Sequence, residues 1–268
     1  MELLLSHRVI RTPLYSSDMS KRAITRPPGR SYAKCISSHP EHHLVSTKKA
    51  LEQHNEYTHT LEELGLEVIQ LDAQDEMPDS CFVEDTSVVV GSRALVTRPR
   101  FPSRQIEVET IEEILGNYFS IERIQTPGTL EGGDVIHVED RLISGLTERS
   151  NLEGVMQMRR KLDIQVDTVE DREIIHLKSY VTYLERGVLI GTRRFADNEA
   201  FIGLDYNAIP DREGYAANTL TVNGTVILPK GYPVTTKVIK ELGYETVSLD
   251  TSEFARCEGA LTCLSIIF

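Results

Sequence analysis

Cys263 stands at the head of a short apolar run, Leu264-Ser265-Ile266-Ile267-Phe268. A thiol in that position is held rigidly if the run is a buried closing strand. Upstream lie the partners that a nucleophilic thiol needs. His176 precedes a strand pattern in Ile174-Ile175-His176-Leu177-Lys178-Ser179, and there are two acidic turns, Phe82-Val83-Glu84-Asp85-Thr86 and Thr129-Leu130-Glu131-Gly132-Gly133-Asp134. Thiol, imidazole and carboxylate are the components of covalent catalysis. Taken singly, each has a plainer use: a cysteine among leucines commonly packs as a small hydrophobe, and a lone histidine commonly serves as a structural hydrogen-bonding group.

The acidic turns say more. Glu84 and Asp85, with Asp79 nearby, bring carboxylates into an apolar setting that is expensive to bury without a cation. Helix capping would be another use for them, but Ser87-Val88-Val89-Val90 reads as a strand. Glu131 and Asp134 repeat the arrangement, separated by two glycines that allow close backbone approach. Arg104 and Arg149 follow the acidic sites, and a guanidinium fork suits a carboxylate. Carboxylates for a cation beside arginines for an anion fit a zwitterionic amino acid with a cationic tail.

The elements that must position these residues repeat. Four copies of two β-branched runs joined by a tight turn are legible, at Ser87–Arg98, Asp134–Ser144, Tyr180–Gly191 and Leu220–Leu228. Asn223-Gly224 in the last copy is a strong hairpin signal. The copies lie roughly 35–50 residues apart, the spacing of propellers and arrays. Helical patterns are predicted over Ser46–Leu64, with Leu51, His54, Thr58, Leu61 and Leu64 on one stripe, and over Glu107–Leu115, Arg149–Leu162 and Thr235–Leu242. Three of these helices are followed by a single strand-like run that would return the chain to the sheet, so the unit reads strand, strand, helix, strand. A fifth unit would need Leu5–Arg11 and Leu261–Phe268 to close a ring and remove exposed sheet edges. Residues 15–45, rich in Ser, Pro and Gly, break the period and read as a surface loop or a lid.

The chain has 268 residues and a formal net charge of -12, which argues against nucleic acid or an anionic membrane face as partner. Four cysteines (Cys35, Cys81, Cys257, Cys263) contain no C-x-x-C pair, which points to a reducing cytoplasm. Met1-Glu2-Leu3-Leu4-Leu5 is far too short for a span or a signal peptide, so a soluble, unprocessed chain is expected. His39, His42 and His43 with Glu41 lack a metal-binding frame, and no metal is expected. Nor is there a phosphate-binding glycine motif.

Pro78-Asp79-Ser80-Cys81-Phe82-Val83-Glu84-Asp85-Thr86, Thr129-Leu130-Glu131-Gly132-Gly133-Asp134-Val135, His176-Leu177-Lys178-Ser179 and Gly259-Ala260-Leu261-Thr262-Cys263 together resemble the dimethylarginine dimethylaminohydrolases. The resemblance spans nearly the whole chain, with Thr97-Arg98-Pro99 and Gly145–Asn151 in the same order. It implies the pentein fold of the guanidine-modifying enzymes: a five-bladed α/β propeller, here residues 1–268 as one domain, with the site in its central channel. By resemblance Cys263 is the nucleophile, His176 the general acid and base, and Glu131 the carboxylate that orients the imidazole. Asp85 would hold the guanidinium with Glu84 beside it, Asp79 the α-ammonium, and Arg104 and Arg149 the α-carboxylate. Glu258 occupies a guanidinium-binding place where an aspartate is expected. Residues 15–35 would be the lid.

The implied reaction is hydrolysis of Nω-methylated arginine to citrulline and methylamine or dimethylamine. It needs no cofactor and no partner beyond the small guanidine amino acid; assembly as a homodimer is compatible with it. The same groups would serve a hydrolase of unmethylated arginine or, with an amine in place of water, an amidinotransferase. A non-catalytic ring-shaped binding protein is the reading from a different class.

Overall fold

The computed structural model describes residues 21–268. Strand β1 (Arg22–Thr25) leads through an irregular segment to helix α1 (Thr47–Glu63) and to strand β2 (Glu67–Gln70), which pairs parallel to β1. Ser46 caps α1 by accepting the Lys49 N–H, and Gly65, at φ +90°, supplies the left-handed turn that ends it. The buried face of α1 carries Ala50, Tyr57 and Leu61. Three residues of the predicted stripe, His54, Thr58 and Leu61, are buried as read, while Leu51 and Leu64 remain half-buried and Ala50 and Tyr57 pack inward beside them.

Each predicted hairpin then forms as read. Strands β3 (Ser87–Val90) and β4 (Arg93–Val96) are antiparallel, helix α2 (Val108–Leu115) crosses over, and β5 (Ser120–Arg123) returns parallel to β4. The pattern recurs as β6 (Val135–Val138), β7 (Arg141–Leu146), α3 (Leu152–Leu162) and β8 (Gln165–Glu170). In the next unit two 3-10 turns replace the helix between the hairpin of β9 (Val181–Glu185) and β10 (Val188–Thr192) and the returning β11 (Asp205–Ile209). The fourth hairpin unit has β12 (Leu220–Val222), β13 (Thr225–Pro229), α4 (Pro233–Glu241) and β14 (Glu245–Leu249), followed by the one-turn helix α5 (Ser252–Ala255).

The last strand, β15 (Ser265–Ile267), pairs antiparallel with β1, so the fifth sheet has the order β15-β1-β2. Five three-stranded sheets thus form the propeller. The fifth blade takes Arg22–Thr25 as the partner of the closing strand, a role that the sequence suggested for Leu5–Arg11, which lies outside the described residues. Arg22–Thr25 falls inside the stretch read as irregular, and four residues ahead of Pro27-Pro28 are too few to show a period.

Between its third strand and its next hairpin, every blade approaches the centre through a 3-10 turn. The five turns are Val83–Thr86, Gly132–Asp134, Leu177–Ser179, Asp211–Ala217 and Thr262–Leu264. Neighbouring turns touch, and Asn218 joins the fourth to the fifth through its hydrogen bonds with Thr262, so five short segments ring the channel and aim side chains into it. Among the described residues, no helix is long and apolar enough to cross a membrane.

Candidate active site

Two adjacent turns meet so closely that only glycine fits between them. A Cβ on Gly132 would lie 2.0 Å from the Glu84 carbonyl oxygen, and one on Gly133 would lie 2.8 Å from the His176 ring. The Gly133 N–H donates to Asp85 Oδ1 at 3.0 Å, and the Thr97 hydroxyl donates to the Asp85 carbonyl at 2.6 Å. Glu131 is pinned from both ends. Its backbone N–H donates to Ser150 Oγ, its Oε1 accepts the Arg100 N–H at 3.0 Å, and its Oε2 lies 2.8 Å from His176 Nε2. The same imidazole nitrogen is 3.6 Å from Asp85 Oδ1.

Cys263, His176 and Asp85 line one narrow cavity of about 30 Å³, together with Asp79, Arg104, Arg149 and Glu258. A cavity this narrow must widen, by movement of part of its wall, to take an amino acid. Ile36, in the irregular segment after β1, forms part of that wall and donates its N–H to both Asp79 carboxylate oxygens, at 3.1 and 3.3 Å. Ser38 donates to Glu258 Oε1 at 2.6 Å. The segment from residue 26 onward therefore lies over the site, while residues 15–20 of the predicted lid fall outside the described ones.

The two arginines sit deeper than a pure α-carboxylate clamp requires. Arg104 donates from Nη1 to Asp85 Oδ2 at 2.9 Å and from Nη2 to Glu107 Oε2 at 2.9 Å. Arg149 stacks over the Phe101 ring at 4.4 Å and places Nη1 3.6 Å from Glu131 Oε2. Both are buried among the acids.

Glu84 departs furthest from expectation. It does not line this cavity; it lines a second one on another stretch of the channel, with Lys178 and Thr262. Its carboxylate is already partnered, by the Lys178 ammonium and by the Thr262 hydroxyl at 2.8 Å. Asn218 joins this cluster by donating to the Lys178 carbonyl and exchanging hydrogen bonds with Thr262. Glu84 therefore lies apart from the cavity that holds Cys263.

Burial opposes charge on every group here, and the outcome depends on partners. Desolvation pulls the His176 pKa down, but the Asp85 charge, the Glu131 hydrogen bond and Asp134 overcome it and hold the imidazole at about 9. Asp85 is likewise desolvated, yet His176 and Arg104 bring it down to about 2. Glu131 is lowered against desolvation by its bond to His176. Cys263 moves the other way: burial raises its pKa first, and the Glu84 and Asp85 charges add to it. At neutral pH the site holds an imidazolium between two carboxylates, beside a protonated thiol. Asp79 is raised by burial, with Arg104, the Ile36 N–H and Arg149 pulling against it.

Two groups of ligand-type side chains converge among the described residues: Asp85, Glu131 and His176; and Cys35, His42 and Cys257. In the first, the ring nitrogen nearest the two carboxylates is already bonded to Glu131, and Arg104 and Arg149 reach the same carboxylates. In the second, the sulfurs of Cys35 and Cys257 are joined in a disulfide across 222 residues of sequence. The sequence reading paired no cysteines, and such a separation carries no local signal. It also missed Lys178, Asn218 and Glu107 as charge and hydrogen-bond partners. Lys178 and Thr262 lay inside blocks already singled out; Asn218 could have been found only from its place before the fourth hairpin, matching the other central turns.

Residues 33–192 match the family model for N,N dimethylarginine dimethylhydrolase, eukaryotic. The N(G),N(G)-dimethylarginine dimethylaminohydrolase of Pseudomonas aeruginosa is 37% identical over 93% of this chain and 100% of its own. The chain belongs to the dimethylarginine dimethylaminohydrolase family. Another member, from Streptomyces coelicolor, is 35% identical over 92% of this chain and 96% of its own. The crystal structure of the Pseudomonas aeruginosa family member with citrulline superposes with a TM-score of 0.89 at 36% identity, covering 93% of this chain and 100% of that one. Outside the family, the N-terminal domain of ArgZ, a cyanobacterial arginine dihydrolase, shares the fold at 20% identity, with a TM-score of 0.84 and coverage of 93% and 97%. The five sheets are accordingly the five blades of a pentein propeller, and the protein is a hydrolase of guanidino carbon–nitrogen bonds.

Proposed function

We propose that this dimethylarginine dimethylaminohydrolase family member hydrolyses asymmetric dimethylarginine or monomethylarginine to citrulline and dimethylamine or methylamine, through a covalent intermediate on Cys263. The observation that carries the reading is one cavity lined by Cys263, His176 and Asp85, with His176 hydrogen-bonded to Glu131. A guanidinium carbon is a poor electrophile because its charge is spread over three nitrogens, so catalysis requires a fixed plane and an in-line sulfur. Asp85 provides the carboxylate against which the guanidinium lies, taking over from the Arg104 contact. Asp79 receives the α-ammonium, Arg149 and the freed Nη1 of Arg104 receive the α-carboxylate, and Glu258 closes the wall.

In the empty cavity the thiol is protonated. An arriving guanidinium cation offsets the Glu84 and Asp85 charges that hold the proton on sulfur, so substrate promotes ionisation of its own nucleophile. Once the thiol has released its proton to solvent, the thiolate adds to the guanidino carbon, and imidazolium His176 protonates the departing amine as the carbon–nitrogen bond breaks, leaving an S-linked thiouronium. Neutral His176 then takes a proton from water, whose oxygen attacks the same carbon; the carbon–sulfur bond breaks, the adduct's hydroxyl proton passes to the departing sulfur, and citrulline leaves. Glu131 keeps the ring oriented through both steps.

Incubation with asymmetric dimethylarginine, arginine and agmatine in parallel tests the reading. Citrulline with dimethylamine from the first substrate is expected. Ammonia from arginine as the dominant product would overturn the methylarginine assignment in favour of the deiminase reading.

A further inference from the structure

The disulfide joins the covering segment to the loop that carries the nucleophile. Cys35 precedes Ile36, whose N–H holds Asp79; Cys257 precedes Glu258 and itself lines the cavity. On either side of the bond, Ser37 donates to the Arg256 carbonyl at 2.8 Å and Ser38 to Glu258 at 2.6 Å. Both sulfur-bearing residues are 3% exposed, and the imidazole Nε2 of half-exposed His42 lies 3.3 Å from Cys35 Sγ. Neither cysteine has a part in the chemistry proposed above. A bond that served only to hold the fold together could sit in any blade, yet this one ties down the residue in contact with the carboxylate assigned to the substrate's amino end.

We propose that Cys35 and Cys257 form a thiol–disulfide exchange site, open to small thiols of the glutathione class, which sets how firmly the cover holds the amino end of the substrate. The thiol reaches the bond when the covering segment opens locally, and its thiolate attacks Cys257 Sγ. The sulfur–sulfur bond breaks, and its electron pair leaves with Cys35 Sγ, which lies 3.3 Å from His42 Nε2 and takes up a proton there or from water. A second thiol resolves the mixed disulfide on Cys257, so that two thiols become one small disulfide and both cysteines gain a hydrogen. In the reduced protein the cover is held by hydrogen bonds alone, and residues 35–46 open more readily. Because Asp79 keeps its ammonium partner only while Ile36 stays in place, opening weakens substrate binding and leaves the bond-breaking steps at Cys263 unaltered.

The inference rests on the proposed function only for the ligand that reports it. With the full chain and asymmetric dimethylarginine, exposure to glutathione and removal of excess thiol should raise KM by about tenfold with kcat changed less than about twofold, and oxidised glutathione should reverse this. Cys35→Ser should have the raised KM permanently and ignore both reagents. His42→Ala should keep the oxidised KM but slow the exchange, followed by alkylation and mass spectrometry of Cys35 and Cys257. Equal KM in both forms, or a bond that glutathione opens only in denaturant, would reduce the disulfide to a structural cross-link and overturn the proposal. Limited proteolysis of residues 26–46 reads the cover without turnover: faster cleavage after reduction is expected, and unchanged cleavage also overturns it. A failed methylarginine assay is thereby distinguished from a failed exchange site.

Discussion

The two acidic turns stand next to each other in the ring, each with two carboxylates, and each divides them in the same way. In Val83–Thr86, Asp85 faces the cavity while Glu84 turns to Lys178 and Thr262. In the other turn, Glu131 meets His176 while Asp134 turns inward, accepting from Thr147 and Ser150 hydroxyls at 2.8 and 2.6 Å and from the Leu177 N–H at 2.9 Å. What differs is the partner of the inward acid. Burial raises the pKa of both; Glu84 is opposed by the Lys178 cation that bonds it, whereas Asp134 bonds only neutral donors, feels the His176 charge from a distance and is pushed up to about 6. Two carboxylates in matching places therefore lean on different partners, and the acids that meet the imidazole owe their lowered pKa values to His176 and Arg104.

Removing the nucleophile should have the largest effect and leaves the comparison intact. Cys263→Ser is expected to abolish turnover while citrulline binding stays measurable by calorimetry. Glu131→Gln comes next. It leaves the ring hydrogen-bonded but uncharged on one side, and kcat should fall by about 10²–10⁴, the range for disabling a positioned acid–base group. Its imidazole, followed by NMR, should titrate below 9. If kcat barely moves, the cavity-facing acids are no different from the scaffold acids.

The pH dependence follows from the same charges. An imidazole raised from 6.5 to about 9 stabilises the fold fully below 6.5 and loses that contribution as pH rises through 9. Asp85, lowered from 3.8 to about 2, contributes above 3.8 and loses its share as pH falls through 2. Activity should decline on the alkaline side as His176 loses its proton, and thermal melting followed from about pH 1.5 to about pH 10 should show both flanks. An alkaline limb absent from both measurements would contradict the imidazolium assignment.

The scaffold acids should separate last. Glu84→Gln strands the Lys178 ammonium, and breaking a buried pair costs about 3–5 kcal/mol, less here because Lys178 keeps some exposure; a lowered melting temperature with modest loss of kcat is expected. Asp134→Asn should be the mildest change. An amide can donate to Thr147 and Ser150 while its oxygen still accepts from Leu177. Protonated Asp134 favours the fold at low pH, so wild type loses stability as pH rises from 3.8 to about 6 and the variant should not. If Asp134→Asn destabilises more than Glu84→Gln, the contrast between the two turns is wrong.

Much of this arrangement was legible in the chain. Four hairpins announced themselves through β-branched runs and turns such as Asn223-Gly224, because strand pairing within a hairpin is local. The closing pair of β1 with β15 was half-read: Ser265–Ile267 follows the thiol as expected, but Arg22–Thr25 is too short and its partner too distant. Glu131, His176 and Cys263 were visible as chemical types in distinctive blocks. Glu84 was not visible as a scaffold residue, because its neighbour Asp85 looks identical in sequence and only the position of Lys178, 94 residues away, separates them. The Cys35–Cys257 bond was hidden for the same reason.

The pairing of β1 with β15 brings together strands some 240 residues apart in sequence. Contacts so distant form late, since the chain must first give up the entropy of a very long loop. Cys263 lies two residues before β15, so during refolding the sulfur meets imidazole and carboxylates only when the last gap in the circle shuts. Until then it is an ordinary thiol on an unfinished chain, and recovery of turnover should coincide with the slowest conformational phase, well after most helix and hairpin signals have returned.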